Sequence, residues 1–151
     1  MIVPFVLVVP SGKGSIRAVV SPILHVSPIG NDAACARGIA AKPCASFGRA
    51  YALARGGDLV GVAAGSYPSQ FIGPSGVKTG PVTFRPDAGA SVSVQGLSIS
   101  ASHVHIQGIV ASGSGNDRGD LDVCDTECNP GLVDVVIQGF RARSAFIRSS
   151  N

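Results

Sequence analysis

The 151 residues suffice for one domain with a core of its own. Only 14% are charged, which excludes a disordered polyelectrolyte, and the net charge of +3 comes without the basic patch and recognisable module of a nucleic-acid binder. Hydrophobic residues reach 45% with 5% aromatics and no Trp, and 20 Gly and 10 Pro punctuate short β-branched runs, a pattern that predicts an all-β fold.

In chain order, Ile2 to Val9 is an apolar run broken by Pro4, with no basic residue before Lys13. It is too short to span a membrane, so an integral membrane protein is not expected. Residues 1–24 read either as an N-terminal extension with a degenerate export signal or as a buried first strand. His25-Val26 begins a short strand that runs into the turn residues Pro28, Gly30, Asn31 and Asp32. Cys35 and Cys44 lie in the loop that follows, and Cys124 and Cys128 form a second local pair. Even counts in local pairs fit disulfides formed in an oxidising compartment. The rival is a four-cysteine metal site, for which the Cys35/Cys44 spacing is too wide.

Ser46 is an N-cap candidate for a helix over Phe47–Arg55, with Phe47, Ala50, Tyr51 and Ala54 on one face and Gly56-Gly57 as the stop. After Asp58, which looks structural, the period changes to two: Val60 and Val62 point one way, Leu59 and Gly61 the other. Ala64 to Tyr67 reads as a turn. Short strands are then expected over Val82–Arg85, Val92–Gln95, Leu97–Ile99, Val104–Gln107 and Val133–Gln138.

A repeat links the later strands. His103 to Ala111 aligns with Asp134 to Ala142 at an offset of 31 residues, and Val94 to Ile99 is a shorter echo 12 residues before the first copy. Units of strand, glycine bend and strand cannot bury an apolar face alone, but stacking them can. Stacked in register, Val104 meets Val135, Ile106 meets Ile137, Ile109 meets Phe140, and Gln107 and Gln138 form an outer ladder. An antiparallel sandwich is the rival architecture, and it leaves both the 31-residue offset and the single helix unexplained.

These residues resemble a known family. The stretch HVSPIGNDAACARGIAAKPCASFGRAYALARGGDLVGVAAGSYPSQ is similar to the opening of exported bacterial right-handed parallel β-helix proteins of the pectate-lyase-like superfamily. The matching parts are Gly30/Asp32, Pro43, the helix Phe47–Arg55, Gly57-Asp58-Leu59-Val60-Gly61-Val62 and Gly65-Ser66-Tyr67, and GPVTFRPDAGASVSVQGLSISASHVHIQGIVASG is similar to the family's early coils. The resemblance covers residues 25–151 and implies a solenoid with an N-terminal cap over 25–67 and about three to four coils over 68–151. Known members have more coils and a C-terminal cap, so a truncated product is expected. Secretion or a cell-surface location is implied too, with Cys35–Cys44 and Cys124–Cys128 bridges.

Fold does not choose among the superfamily's activities. Asp117, Asp120, Asp122, Asp125 and Glu127 lie on one segment, where clustered carboxylates suit a hard cation such as calcium, as in calcium-dependent lyases of this fold. Their order matches no calcium-loop motif, and a solvated loop stapled by Cys124–Cys128 is the competing expectation. Stacking would set Asp134 beside His103, a pair that could act as an acid/base couple or serve as a surface ion pair. Arg85, Arg141 and Arg143, with His105, are candidates to bind an acidic polysaccharide, since guanidinium groups pair with carboxylates. No nucleophile, dinucleotide or metalloprotease motif appears. The first expectation is an extracellular scaffold associated with polysaccharide. The alternatives are a polysaccharide lyase or glycoside hydrolase, and an adhesin or tailspike-like module.

Overall fold

A computed structural model describes residues 20–113, 120–123 and 131–147. The Cys124/Cys128 pair, Asp117, Asp125, Glu127, Arg148 and the Ile2–Val9 run lie outside the described residues.

The described residues are predominantly β, with parallel sheets and one helix. A leading strand β1 (Leu24–Val26) and helix α1 (Phe47–Leu53) precede β2 (Leu59–Val62), β3 (Gly65–Tyr67) and β4 (Gln70–Ile72). The next circuit comprises β5 (Val82–Pro86), β6 (Val92–Val94) and β7 (Leu97–Ile99). A third follows in β8 (Val104–Gln107), β9 (Val110–Ala111) and β10 (Leu121–Val123), and a fourth holds β11 (Val135–Gln138) and β12 (Ala145–Ile147). Successive strands pass through three sheets in turn: β1-β2-β5-β8-β11, β3-β6-β9 and β4-β7-β10-β12. All strand pairs among them are parallel. The arrangement is compatible with a parallel solenoid, whereas the antiparallel sandwich is excluded by the pairing.

Stacked side chains make the core. Leu24, Val60, Phe84, Ile106 and Ile137 fall in one file across the first sheet. Ile72, Ile99 and Val123 fall in another across the third, and Tyr67, Val94 and Ala111 in a third file. Burying each large aliphatic member stabilises by about 1.5–3 kcal/mol. Val104 pairs with Val135 and Gln107 with Gln138, as the 31-residue offset requires. Gly108 and Gly139 sit at the same bend with φ of 65° and 62°, where a side chain would be strained.

Several expectations need correction. Ala64 to Tyr67 is not simply a turn, because Gly65–Tyr67 is strand β3, with Tyr67 buried and its hydroxyl donating to the Ala63 carbonyl at 2.8 Å. The echo Val94 to Ile99 is not a copy of the same unit: its glycine bends the chain from the second sheet to the third, while Gly108 bends it from the first to the second. Ile106 is fully buried, but Ile137 is only half-buried, because β11 is the outermost described strand of its sheet. Part of the expected acidic loop is strand β10, with Asp120 and Asp122 at 3% and 2% exposure.

The leading edge is closed locally. Ser46 caps α1 by accepting the Arg49 N–H at 3.1 Å, and Phe47 and Tyr51 are buried where α1 packs on β1 and β4. The Phe47 N–H donates to the Gln70 side chain at 3.0 Å. Asp32 accepts from the Ala45 and Ser46 N–H groups and the Ser46 hydroxyl. Burial pushes the Asp32 pKa up, but these hydrogen bonds and Arg49 outweigh it and leave the carboxyl below its ordinary range. Cys35 and Cys44 are disulfide-bonded with Cα atoms 4.7 Å apart, and the Gly30 backbone passes so close to Cys44 that no side chain would fit there.

Candidate functional site

The first sheet's outer face and the corner that leads into it hold most of the chemistry. Along β8 the apolar Val104 and Ile106 point inward, which leaves His105 on the outer face and His103 at the corner before the strand. One circuit on, Asp134 occupies the corner before β11. The carboxylate of Asp134 lies 2.9 Å from His103 Nδ1 and 2.7 Å from His105 Nε2. An ionised carboxylate only accepts, so both rings must donate. That assigns the proton to Nδ1 on His103 and to Nε2 on His105, leaving the opposite nitrogen of each neutral ring with a free lone pair. Hydrogen bonds from His105, then from His103, hold the Asp134 carboxyl below the usual carboxylate range. The group is partly exposed, at 35% for Asp134 and 27% and 23% for the two rings.

His103 also lines a cleft of about 420 Å³ at this corner. Its walls come from three successive corner segments: Pro74 to Lys78, Ser100 to His103 and Gly131 to Val133. Tyr51 of α1 forms part of the lining and donates its hydroxyl to the Ser102 carbonyl at 2.8 Å. The Lys78 ammonium lies 4.8 Å from the Tyr51 ring centroid and donates to the Ala54 carbonyl at 2.6 Å. Burial lowers the Lys78 pKa from the ordinary lysine range, with Asp58 pulling the other way.

Of the remaining candidates, Arg85 shares the first sheet's outer face with His105, one strand away, where Thr83 is the register partner of His105. Arg141 is exposed beside Val110 in line with the second sheet. Arg143 is exposed at the approach to β12, its backbone N–H donating to the Asp120 carboxylate at 2.8 Å. The three arginines are thus spread over different sheets, not gathered in one patch.

Among the described residues, no three His, Cys, Asp or Glu side chains are grouped so as to hold a metal ion. Asp120 is already engaged by Arg143, and Asp122 is buried with both carboxylate oxygens unpartnered among the described residues. Calcium takes six or more oxygens, and the described residues do not assemble such a shell.

Two features carry no strong sequence signal. Arg37 makes a two-pronged ion pair with Asp58, both contacts at 2.7 Å, across 21 residues of chain. The cleft depends on corner segments of unequal length meeting in space. No family model, curated protein or solved structure matches the chain. No described helix is long and apolar enough to cross a membrane.

Proposed function

We propose that this chain is a right-handed parallel β-helix of the pectate-lyase-like kind, serving outside the cell as a scaffold associated with an acidic polysaccharide. The observation that carries the reading is the first sheet itself. Its inner file is a continuous apolar core, and its outer face presents His25, Arg85 and His105 on three of its strands. A face of parallel strands that carries one guanidinium and two imidazoles gives a long anionic polymer several weak contacts along its length. The Cys35–Cys44 bridge fits an oxidising compartment.

A second reading, a polysaccharide lyase or glycoside hydrolase, is favoured by one arrangement. Asp134 orients His103 with a free ring nitrogen beside a cleft, as an acid/base group requires. A pair of carboxylates spaced for glycoside hydrolysis is not assembled among the described residues around that histidine.

Co-sedimentation with insoluble polygalacturonate, beside uncharged dextran as control, tests the proposal. Retention on the acidic polymer alone, reversed by salt, without release of unsaturated uronate absorbance, is the expected result. Equal retention on dextran, or none on either, would overturn it, and steady release of unsaturated products would establish the enzyme instead.

A further inference from the structure

The two ends of the strand stack differ. At the leading end the edge of β1 is already taken: the Gly38 and Cys44 N–H groups donate to the Ile23 and His25 carbonyls at 2.7 and 2.8 Å. Helix α1, packed on β1 and β4, covers the adjoining core with Phe47 and Tyr51. At the trailing end no described strand pairs with the far side of β11 or β12. Apolar surface stays uncovered there. Ile147, in file with the buried Val123, is 72% exposed and Val133 is 56% exposed, while Val135, Ile137 and Phe140 are only half-buried.

The backbone groups on that edge follow from the ladder. The Asp134 and Gln138 carbonyls accept from the Val104 and Gly108 N–H groups. Alternation along a parallel strand then turns the N–H and C=O groups of Val135 and Ile137 away from β8. Their side chains, in register with Val104 and Ile106, stay on the core side.

This edge is self-complementary. Asp134 to Gln138 reads polar, three apolar, polar, so a two-fold axis at Val136 preserves the pattern. Antiparallel pairing about that axis sets Val135 opposite Ile137 of a second copy, and their outward N–H and C=O groups meet in hydrogen bonds. A slip of one residue would instead set core-facing side chains against outward ones. The same rotation exchanges the second and third sheets, so Phe140 faces β12 of the second copy, where Ile147 is exposed. One circuit of 22 to 31 residues makes the end face, and a stable interface draws about 20–30 residues from each side.

We propose that the trailing end is a homodimer interface, on which a second copy of this chain docks tail to tail through β11. The closed leading end offers no edge to continue the stack, so association stops at two copies and no filament grows. The interface does not depend on the polysaccharide reading, and each stands without the other.

Sedimentation velocity of the whole chain, from low to high micromolar concentration, tests the interface. The mass should rise from 15.2 kDa to twice that value and stop there. Ile147→Lys changes a residue already exposed in the single chain, so folding should survive, while the dimer dissociation constant should rise about tenfold or more. Phe71→Lys, also at an exposed position but on the outer face of the third sheet, should dimerise as the wild type does. Val136→Cys reads the geometry. Opposed residues of a non-hydrogen-bonded antiparallel pair have Cα atoms about 4.5 Å apart, within disulfide reach, so mild oxidation should link two copies through this position. Gln107→Cys, one strand inside the edge, should give no such link. If Ile147→Lys does not fold, peptide mapping of the two cysteine variants decides. A single-copy mass at every concentration, an unchanged constant in folded Ile147→Lys, equal weakening by Phe71→Lys, masses climbing past two copies, or no link through position 136 would each overturn the interface.

Discussion

His103 and Asp134 stand at the same corner of successive circuits, both in left-handed backbone conformation (φ 57° and 56°), and their side chains meet at 2.9 Å. Non-glycine residues in that region cost about 1–2 kcal/mol each. The strain is held by the corner's hydrogen bonds: the His103 N–H donates to the Val133 carbonyl, and the Val104 N–H donates to the Asp134 carbonyl. Backbone stacking thus delivers the carboxylate to both histidines.

Replacing Asp134 with Asn should release this clamp. The folded pKa of Asp134 is lowered, so its contribution is present above the unfolded value of about 3.9 and is lost as pH falls through the lower folded value. Wild type and Asp134→Asn should therefore differ in stability near neutral pH and converge in strong acid. Nitrogen NMR should find the Nδ1–H tautomer of neutral His103 in the wild type and a mixture in the variant. Separately, His103→Val should be less stable than His103→Asn by roughly 1–2 kcal/mol, since Asn tolerates the left-handed region and a β-branched side chain does not.

Burial divides the two stacked isoleucines. Ile106→Asp would place a charge in the closed core and should abolish folding. Ile137→Asp lies on the outermost described strand, half-exposed, and should cost markedly less. Urea melts of the two variants, compared with wild type, check the order.

The in-register stack was legible because β8 and β11 share the sequence pattern of valine, isoleucine, glutamine and glycine. The other circuits share no fixed offset, because their lengths differ: Val60 to Phe84 spans 24 residues, Phe84 to Ile106 spans 22, and Ile106 to Ile137 spans 31. The extra length of the last falls in sequence between β9 and β10 and between β10 and β11. Strands of two or three residues, such as β4, β9 and β12, are too short to show alternation, and acidic neighbours concealed β10. The helix was readable from its cap and apolar face, and it ends at Leu53, two residues before the expected Arg55. Arg37 gave no hint of Asp58, since a contact across 21 residues leaves no local pattern.

The Cys35–Cys44 bridge closes a short loop against the leading strand, where Cys44 also bridges Val26. Reduction should lower stability by about 2–3 kcal/mol in the chain-entropy account. Peptide mapping without reductant should recover the two cysteines in one linked species, and thermal melts with and without reductant give the size of the effect.

Asp58 ties the stop of α1 to the loop below it, accepting from Arg37 and from the Arg55 N–H at 2.8 Å. The hydrogen bonds from Arg37 hold its pKa below the ordinary value, so its contribution is present above about pH 3.9 and disappears as pH falls through the lower folded value. Asp58→Ala should cost about 1.5–3 kcal/mol at neutral pH, as for charged hydrogen bonds, and little in strong acid. Melts across that pH range read the difference.

Phe47 decides whether α1 is a cover or an ornament. The ring is fully buried, stacked on Phe84 at 5.2 Å with an interplanar angle of 10°, and set edge-on to Tyr67 at 5.8 Å. Phe84 belongs to the first sheet and Tyr67 to the second, so one helical side chain ties two sheets together near the leading end. Phe47→Ala would leave a cavity that the β-sheet backbones are too constrained to fill, at a cost of about 3–5 kcal/mol. Phe47→Leu keeps most of the volume and should cost clearly less. Loss of α1 without loss of the sheets would show itself in Phe47→Ala as a two-step melt, with helix signal leaving first. A single cooperative transition at lower temperature is the expected outcome, because the helix and the first circuit share this core.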